Sequence, residues 1–415
     1  MKILWVKAGK LLPVDTGGKI RSYNILRCLA RDNQVTLLSY YGGHRDLDYE
    51  AAIQKELPGT ESIHTAAPDS NAMVRGLDYV RRIPQTAPYA VSKFTHSRVT
   101  QILAARLSAR RFDVAVCDFL SASLNFPQKL VTPTVLFQHN VESSLWLRMA
   151  STESHPVKKL AFKMESAKMS SYERAALKRF HHVIAVSEHD RKQMLTMNSS
   201  CEITVVPTGV DTCKFTVAPP STINPPRIVF TGSMDWEPNI DAAEYFCQRI
   251  WPGVLEIFPN AIFQVVGRNP HAKVQRLASE SVQITGTVPS VAEYLQDAAV
   301  VVVPLRIGGG TRLKIFEAMA MGKAVVSTTI GAEGLEVQSG HDLVLADDAV
   351  TFTGSILLLL RNSELRRKYE QAAVQLASHH DWSRIALQFT AVLERAMQGR
   401  ASQREHAPDA VSVHP

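Results

Sequence analysis

Three consecutive glycines, two cations and a carboxylate stand together in this chain and are well suited to chemistry. The glycines are Gly308, Gly309 and Gly310. Because they lack a Cβ, they let the backbone come close to a ligand. Arg312 and Lys314 follow in what the pattern predicts to be the first turn of a helix. Cations there oppose the helix dipole, so an anion bound at the helix end explains them better than helix stability does.

A predicted strand and a predicted helix would position these residues. Residues 300–305 have the short, β-branched character of a buried strand. The helix is expected to begin near Thr311 and to stop at Gly322. Lys314 and Glu317 are three apart and would share one helix face. A phosphate-binding lysine would then lie about one turn from a carboxylate that can hold a ribose diol. The alternative is a solvated lysine–glutamate pair.

A second glycine turn lies near the beginning of the chain. Residues 2–7 are predicted to form a strand, and a helix follows from Lys19 to about residue 31. Gly17 and Gly18 stand at this junction, where a helix N-terminus can receive a phosphate or a sugar. A plain tight turn is the alternative, because neither the dinucleotide fingerprint nor the P-loop pattern is present.

Strand and helix patterns alternate along most of the chain, which predicts parallel sheets of the α/β class. With 415 residues the chain exceeds one ordinary domain, so we expect two doubly wound, Rossmann-like domains that face a cleft. A proline-rich segment without periodicity marks the linker. The predicted organisation is a first domain at 1–212, a linker at 213–226, a second domain at 227–383, a C-terminal helix at 384–398 and a disordered tail at 399–415.

Ligands of such sheets bind at the carboxyl ends of the strands. Two polar segments are expected there, Asp118 with Phe119 after one strand and residues 138–142 after the next. The second segment contains His139. A histidine at the exit of a buried strand is usually a structural cap, but the polar neighbours of His139 favour a contact with a ligand.

The composition argues against several classes of function. The net charge of +7 is mild, and zinc-finger spacing, an RNP-like aromatic run and a long basic block are missing, so no nucleic-acid partner is expected. Five scattered cysteines indicate a reduced, cytoplasmic compartment. Neither a signal peptide nor an apolar run of about 18 residues is found. Asp46 and Asp48 are interpreted as part of a surface loop, so no metal site is predicted.

Two basic segments suggest a surface partner. Residues 75–98 mix five cations with three aromatic residues, which suits an acceptor-binding or membrane-surface loop. An ordinary insertion is the alternative. Residues 156–179 form the longest helix candidate, and seven basic and two acidic residues give it a charge of +5. Attraction to anionic lipid is one interpretation of this charge, and a solvated helix face is the other.

The glycine-rich motif and several smaller motifs make the chain resemble glycosyltransferase family 4. The main motif covers residues 308–328, and the supporting motifs lie at 16–18, 138–140, 207–211 and 230–236. The resemblance extends over roughly residues 1–400. It is closest to bacterial enzymes that build exopolysaccharide or lipid-linked glycans. It implies the two-lobed GT-B fold, with a C-terminal helix that crosses back to the first lobe.

The resemblance also implies roles for the matching residues in binding the donor. Arg312 and Lys314 match basic residues that bind the donor diphosphate near the glycine loop of residues 308–311. Glu317 matches the carboxylate that holds the ribose of the nucleotide. The N-terminal turn, Gly17 and Gly18, matches one that approaches the diphosphate and the sugar.

His139 matches a histidine that contacts the transferred sugar. Together with Arg312 and Lys314 it forms the catalytic set that the resemblance implies. Enzymes of this family usually retain the anomeric configuration and need neither a metal nor a cofactor besides the nucleotide sugar. That agrees with two cations that can neutralise the leaving diphosphate. The expected acceptor is a glycan or a lipid-linked glycan, with possible peripheral contact with an anionic membrane at the inner face of the plasma membrane.

The chain departs from the family pattern at two places. Many members carry a sugar-binding glutamate eight residues before the one that matches Glu317, and here that position is Gly309. Many also carry an arginine and a lysine after the first strand of the second lobe, where residues 233–239 contain neither. Arg268 is the candidate to supply the missing charge.

These departures keep two alternatives open beside a sugar transferase. One is a sugar-nucleotide epimerase of the GT-B fold, which would transform a nucleotide sugar without an acceptor. The other is a non-catalytic scaffold that binds a nucleotide sugar, and the missing glutamate at Gly309 motivates it. The presence of His139, Arg312, Lys314 and Glu317 argues against the scaffold.

Overall fold

The computed structural model describes residues 1–65, 72–153, 155–217, 224–307 and 312–405. The chain divides into two compact units. The first comprises residues 1–206 and the chain from residue 385 onward, and the second comprises residues 207–384. Each unit contains one parallel sheet, so the prediction of two Rossmann-like α/β domains is confirmed. No helix in the described part of the chain is long and apolar enough to cross a membrane.

Seven parallel strands form the sheet of the first unit. They are β1 Lys2–Ala8, β2 Gln34–Tyr41, β3 Glu61–His64, β4 Val114–Asp118, β5 Thr134–Phe137, β6 His182–Ala185 and β7 Ile203–Val205. Their order across the sheet is β3-β2-β1-β4-β5-β6-β7. The order therefore reverses between β1 and β4, which are neighbours at its centre. Both strands are buried runs of apolar residues, as expected where helices cover both faces of a sheet.

The helices of the first unit follow the strands as the alternating pattern predicted. They are α1 Gly17–Asp32, α2 Leu47–Glu56, α3 Ala72–Arg82, α4 Tyr89–Ser92, α5 Ser97–Ser108, α6 Glu142–Thr152, α7 Pro156–Arg179 and α8 Glu188–Met197, with a 3₁₀ helix at Leu120–Asn125. The basic segment at 156–179 is thus one helix, α7, and a proline begins it.

Six parallel strands form the sheet of the second unit. They are β8 Arg227–Thr231, β9 Ile262–Val266, β10 Val282–Gly286, β11 Val300–Val303, β12 Val325–Ser327 and β13 Val344–Leu345. Their order is β10-β9-β8-β11-β12-β13, so β8 and β11 meet at the centre. The helices are α9 Glu237–Tyr245, α10 Trp251–Leu255, α11 Ala272–Gln275, α12 Val291–Asp297, α13 Leu313–Ala320, α14 Ala349–Arg361 and α15 Ser363–His379, with a π-helical segment at Phe246–Ile250.

The unit boundaries differ from the predicted domain boundaries. The change from the first unit to the second falls after residue 206, before the predicted end of the first domain at 212. Val210 and Phe215 belong to the hydrophobic core of the second unit, which explains why the chain joins it early. Of the predicted linker, residues 218–223 lie outside the described residues.

The last helix, α16, runs from Trp382 to Glu405. From residue 385 it belongs to the first unit, where Phe389 stacks on Trp5 with ring centroids 5.4 Å apart. The prediction of a disordered tail from residue 399 placed the end of this helix too early. Most residues from 400 to 405 are Arg, Ala, Gln or Glu, which have good helix propensity. The rest of the predicted tail, 406–415, lies outside the described residues.

Candidate functional site

Each sheet changes strand order at its centre, and ligands of doubly wound sheets bind beside that point. In the first unit the carboxyl ends of β1 and β4 carry Lys7 and Asp118. Arg21 from α1 and His139, which follows β5, are also buried at this edge. We call these four side chains the buried network.

Hydrogen bonds connect the members of the buried network in a chain. Lys7 Nζ donates to Asp118 Oδ2 at 2.8 Å, and the indole of Trp5 donates to the same oxygen at 3.1 Å. Asp118 Oδ1 lies 2.8 Å from His139 Nε2, and Arg21 Nη1 lies 2.9 Å from His139 Nδ1. A guanidinium only donates and a carboxylate only accepts. His139 is therefore held as the neutral tautomer with its proton on Nε2.

Burial lowers the pKa of His139 to about 3, so the ring is neutral at physiological pH. Burial alone would raise the pKa of Asp118, but attraction to Lys7 and the hydrogen bond from His139 outweigh it, and the pKa falls below its usual value. His139 is only 1% exposed and both its nitrogens are engaged. A sugar can hydrogen-bond to this ring only by displacing Asp118 or Arg21. The sugar contact of His139 therefore stays a prediction.

Phe119 covers one face of the buried network. Its ring stacks on His139 with centroids 3.6 Å apart. A Cβ on Gly18 would lie 2.5 Å from the Phe119 ring, so this packing requires glycine at position 18. That reason differs from the predicted approach of a ligand. Gly17 is exposed and begins α1. In the described part of the chain, the side chain of the preceding residue, Thr16, makes no capping hydrogen bond to this helix. The N-terminus of α1 can therefore still accept an anion.

In the second unit, Lys314 lies in the first turn of α13 and reaches the carboxyl end of β8. Its Nζ donates to Asn239 Oδ1 at 3.0 Å and lies 4.4 Å from the centroid of the Phe230 ring. Asn239 belongs to α9 and its amide also donates to the carbonyl of Ser233 at 2.9 Å. A Cβ on Gly232 would lie 2.8 Å from Lys314 Nζ. Glycine at position 232 therefore makes room for the ammonium group.

The charges around Lys314 are not balanced. Burial, followed by repulsion from Arg312, lowers the pKa of Lys314 to about 7, while Glu317 opposes the shift. Burial also raises the pKa of Glu317, against attraction to Lys214 and Lys314. A lysine that is about half protonated at pH 7 in a polar, partly desolvated site is a candidate functional group. A bound anion would restore its full charge.

Arg312 lies beside Lys314, and Arg268 lies against the segment that follows β8. Arg312 is buried at the N-cap of α13, with its guanidinium 5.7 Å from the centroid of the Trp236 ring. Arg268 follows β9, and its Nε donates to Ser233 Oγ at 3.0 Å. The backbone N–H of Met234 also donates to the carbonyl of Arg268 at 2.9 Å. Arg268 is thus held against residues 233–239, the segment after β8 that has no cation of its own. Its predicted role, to supply the charge that this segment lacks, stays a prediction.

Two glycines allow the ends of β8 and β9 to approach each other. Gly267 has φ of +157°, and a Cβ there would lie 1.6 Å from the carbonyl oxygen of Gly232. No other residue fits at position 267 without moving the strand end. These glycines were not recognised as site residues from the sequence, although each directly follows a strand.

The glycine loop itself, Gly308, Gly309, Gly310 and Thr311, lies outside the described residues. Its predicted contacts with the donor therefore stay predictions. The helix was expected to begin near Thr311, and α13 begins at residue 313.

Asp46 and Asp48 were interpreted as part of a surface loop, but they lie at the start of helix α2, Asp46 as its N-cap and Asp48 in its first turn. Asp46 caps α2, where its Oδ1 accepts from the backbone N–H of Tyr49 at 2.9 Å, and Lys10 Nζ donates to its Oδ2 at 2.6 Å. In the described residues no group of three His, Cys, Asp or Glu side chains is arranged to hold a metal ion.

Two contributors to the site were missed as site residues from the sequence. Lys7 was predicted only as part of a strand, and Asn239 only as part of a motif. The available signal for Lys7 was a polar side chain near the carboxyl end of a buried strand, because ligands of parallel sheets bind at that end. Asn239 carried no comparable signal, since its partner Lys314 lies 75 positions away.

Two family models match the chain. Residues 16–214 match the model described as Glycosyltransferase Family 4, and residues 225–362 match the model described as Glycosyl transferases group 1. Both models describe glycosyltransferases and together they cover most of the chain, so the chain belongs to the glycosyltransferases. The buried network, apart from Lys7, lies in the first matched region, and Lys314, Arg312 and Glu317 lie in the second. The resemblance seen in the sequence is thereby confirmed.

Phosphatidyl-myo-inositol mannosyltransferase of Mycobacterium leprae is 29% identical over 222 residues, which are 51% of this chain and 58% of that protein. The chain therefore matches less than two thirds of that relative's length.

Solved structures of other glycosyltransferase-type proteins share the fold. Sucrose-phosphate synthase from Thermosynechococcus elongatus has a TM-score of 0.72 at 16% identity, covering 96% of this chain and all of that chain. HepE of Anabaena, solved in complex with UDP, has a TM-score of 0.64 at 14% identity, covering 95% of this chain and 100% of its own. Identities this low show likeness of fold alone.

Proposed function

We propose that this protein is a hexosyltransferase that moves a sugar from a nucleotide diphosphate sugar to a glycan or lipid-linked acceptor. The cation pair at the start of α13 is the observation that carries the proposal. Arg312 and Lys314 lie there with Glu317 about one turn further along the helix. Membership of a glycosyltransferase family supports the same reaction type.

In this reaction the bond between the anomeric carbon and the diphosphate oxygen breaks, and the diphosphate leaves with the bonding electrons. The acceptor oxygen bonds to the carbon and loses its proton. Negative charge therefore grows on the diphosphate, where preorganised cations stabilise it most effectively. Lys314 and Arg312 are placed for this, and Arg268 adds a third positive charge near the end of β9.

Glu317 is proposed to hold the ribose of the donor. Its carboxylate can accept hydrogen bonds from both hydroxyl groups of a ribose diol. Burial raises the pKa of Glu317 and so disfavours its charged form. Hydrogen bonds donated by a ligand would stabilise the charged carboxylate. This assignment also places the nucleoside on the side of α13 away from its N-terminus.

We also propose that the transfer needs no metal ion and retains the anomeric configuration. The support for metal independence is positive charge: two or three protein cations can neutralise a diphosphate as a divalent ion does. Retention is supported by the family resemblance. For His139, contact with the sugar would couple substrate binding to the opening of the buried network.

The acceptor is proposed to be a growing exopolysaccharide or another cell-surface glycan on a lipid carrier. The M. leprae relative is named for a lipid substrate, phosphatidyl-myo-inositol, which supports an acceptor that is anchored in a membrane. A cytoplasmic enzyme would meet such an acceptor at the inner face of the plasma membrane.

Calorimetric titration with UDP, GDP and ADP in the presence of EDTA tests the donor site. We expect one nucleotide to bind, and UDP is the first to try because the similar HepE structure contains it. Glu317→Ala should weaken that binding about tenfold, since hydrogen bonds to a charged group contribute about 1.5–3 kcal/mol. Glu364→Ala, which changes an exposed carboxylate on α15, is the matched control and should leave affinity unchanged.

Failure of all three nucleotides to bind with EDTA present would contradict the metal-free donor site. Equal affinity of Glu317→Ala and the unsubstituted protein would contradict the ribose assignment. Incubation of the nucleotide sugar without an acceptor separates the epimerase alternative, because only an epimerase yields a new nucleotide sugar.

A further inference from the structure

The surface of the first unit exposes a group of aliphatic side chains on two neighbouring segments. We call them the apolar patch. Its members are Leu77, Val80, Ile83, Val157, Leu160 and Met164. Val157 is 69% exposed, Leu77 66% and Leu160 60%, so these side chains project into solvent. Single exposed apolar residues are ordinary, but a contiguous group marks an interaction surface.

The two halves of the apolar patch adjoin each other. Val157, Leu160 and Met164 are spaced three and four apart, so they form one row along α7, and Lys168 continues that row. The ammonium of Lys168 donates to the carbonyl of Ile83 at 2.6 Å, which brings the end of α3 against the row.

A second contact fixes the same arrangement. The backbone N–H of Tyr89 donates to the buried Glu165 of α7 at 2.7 Å, and the ring of Tyr89 packs edge-on against Tyr79 of α3 with centroids 5.3 Å apart. The segment that follows α3 is therefore held along α7. The end of α3, with its exposed residues, therefore lies near α7.

Cations flank the apolar patch. Arg81, Lys158 and Lys163 are exposed beside it, on the same two helices. The acidic residues of these segments are occupied within the protein. Asp78 pairs with Arg82 at 2.9 Å, and Glu165 accepts from the backbone. The outward surface is consequently apolar in its middle and positive at its edges.

We propose that the apolar patch inserts into a membrane surface rich in anionic lipid. The aliphatic side chains would enter the boundary between headgroups and acyl chains, and Arg81, Lys158 and Lys163 would contact lipid phosphates. Long basic side chains can keep their charge at the headgroups while their stems lie on apolar surface. The proposal rests on the peripheral location given by the proposed function, but it does not depend on catalysis.

A second copy of the chain fits this surface less well than lipid does. A two-fold interface would bring the same lysines of both copies together, and like charges repel. Protein interfaces are also enriched in Trp, Tyr and Arg at their centres, whereas the apolar patch is aliphatic throughout.

The structure also changes the interpretation of the basic helix. The charge of +5 along 156–179 suggested either attraction of this helix to anionic lipid or a solvated helix face. Arg179 instead donates to the carbonyl of Ser123 at 2.5 Å, and Lys168 holds Ile83. The N-terminal half of α7 is the part that combines free cations with exposed apolar residues.

Co-sedimentation of the full chain with vesicles tests the proposal. We expect binding to phosphatidylcholine vesicles that contain phosphatidylglycerol, weaker binding as salt rises, and little binding to pure phosphatidylcholine. Leu77→Ser combined with Leu160→Ser should lower the partition coefficient by about tenfold or more, since apolar insertion is lost. Lys158→Ala and Lys163→Ala should each lower it roughly fivefold.

Val350→Ser is the matched control, because Val350 is the most exposed large apolar residue of the second unit, at 82%, and lies outside the apolar patch. Its partition coefficient should equal that of the unsubstituted protein. Absence of binding to anionic vesicles at low salt would overturn the proposal. An equal reduction of vesicle binding in Val350→Ser and in the patch variants would also overturn the proposal.

Light scattering after size exclusion provides the remaining comparison. A dimer that becomes a monomer in Leu77→Ser/Leu160→Ser would assign the surface to a second copy and overturn the membrane proposal. Nucleotide affinity measured on the same variants should be unchanged. Loss of lipid binding with intact nucleotide binding thus separates failure here from failure of the proposed donor site.

Discussion

Each domain has a lysine beside the carboxyl ends of its central strands, and the two are held differently. Lys7 of the first domain has a carboxylate partner, Asp118, at 2.8 Å. Lys314 of the second has a neutral amide oxygen, that of Asn239, at 3.0 Å, and an arginine as its neighbour in sequence. The first ammonium is neutralised inside the protein. Among the described residues, the second has no carboxylate within ion-pair distance.

This difference separates a structural role from a binding role at similar positions in similar sheets. A buried ion pair that is complete leaves little for a ligand to gain by approaching it. The Lys314 ammonium, whose pKa is lowered to about 7 by desolvation, gains stabilisation when an anion binds beside it. We therefore propose that the donor diphosphate binds at Lys314, and we interpret Lys7 as support for the buried network.

Lys7→Met tests the structural half of the comparison and should have the largest effect. Removing this ammonium leaves Asp118 charged, buried and deprived of its cation, which should cost about 3–5 kcal/mol of unfolding free energy. Denaturant titration measures the loss. Lys10→Met is the control, because the Lys10–Asp46 pair is a third exposed and should contribute less than about 1 kcal/mol. Equal losses in the two variants would show that Lys7 is not structural.

Lys314→Met tests the binding role that the comparison gives to Lys314. Desolvation lowers the pKa of Lys314 from 10.5 to about 7, so the folded chain binds fewer protons than the unfolded chain between these pH values, and the cost of holding the ammonium in the folded chain is still present at neutral pH. Methionine should therefore preserve or raise the melting temperature, while kcat/KM for the donor falls about 10²- to 10³-fold. Lys273→Met, on an exposed lysine of the same unit, should change neither. A strongly destabilised Lys314→Met protein would make Lys314 structural as well.

The pH dependence of nucleotide affinity sharpens the comparison further. A bound diphosphate should raise the pKa of Lys314, so binding takes up a proton when the free lysine is neutral. Affinity should then fall by up to about tenfold per unit as pH rises above 7, and level off once the pKa of the complex is passed. Calorimetry at pH 7, 8 and 9 measures the slope. The Lys314→Met protein should lack it; a slope that survives would belong to another group.

Much of the fold was readable from the sequence because its central strands are buried on both faces. The run in β11, four consecutive valines, and the apolar run in β1 leave little choice of structure. The edge strands β3 and β10 were missed. β3 reads Glu-Ser-Ile-His with a single fully buried residue, so its pattern does not differ from that of a loop. Its pairing with β2 depends on the rest of the sheet.

The candidate site was only partly readable for a related reason. Arg312, Lys314 and Glu317 are close in sequence, so one helix determines their spacing. Lys7 and His139, in contrast, are distant in sequence from their shared partner: Asp118 is 111 positions from Lys7 and 21 from His139. Only the folded sheet brings them together. The same holds for Gly18, whose missing Cβ accommodates Phe119, a residue far along the chain.

The final helix has a practical consequence for dividing the protein. The second unit is one continuous stretch, 207–384, and can be cloned as a single fragment. The first unit is discontinuous, since α16 returns to it after residue 385 and places Phe389 on Trp5. A fragment that ends at residue 206 would leave the indole of Trp5 without its stacking partner. An expressible first domain should therefore carry α16 in trans or through an engineered loop.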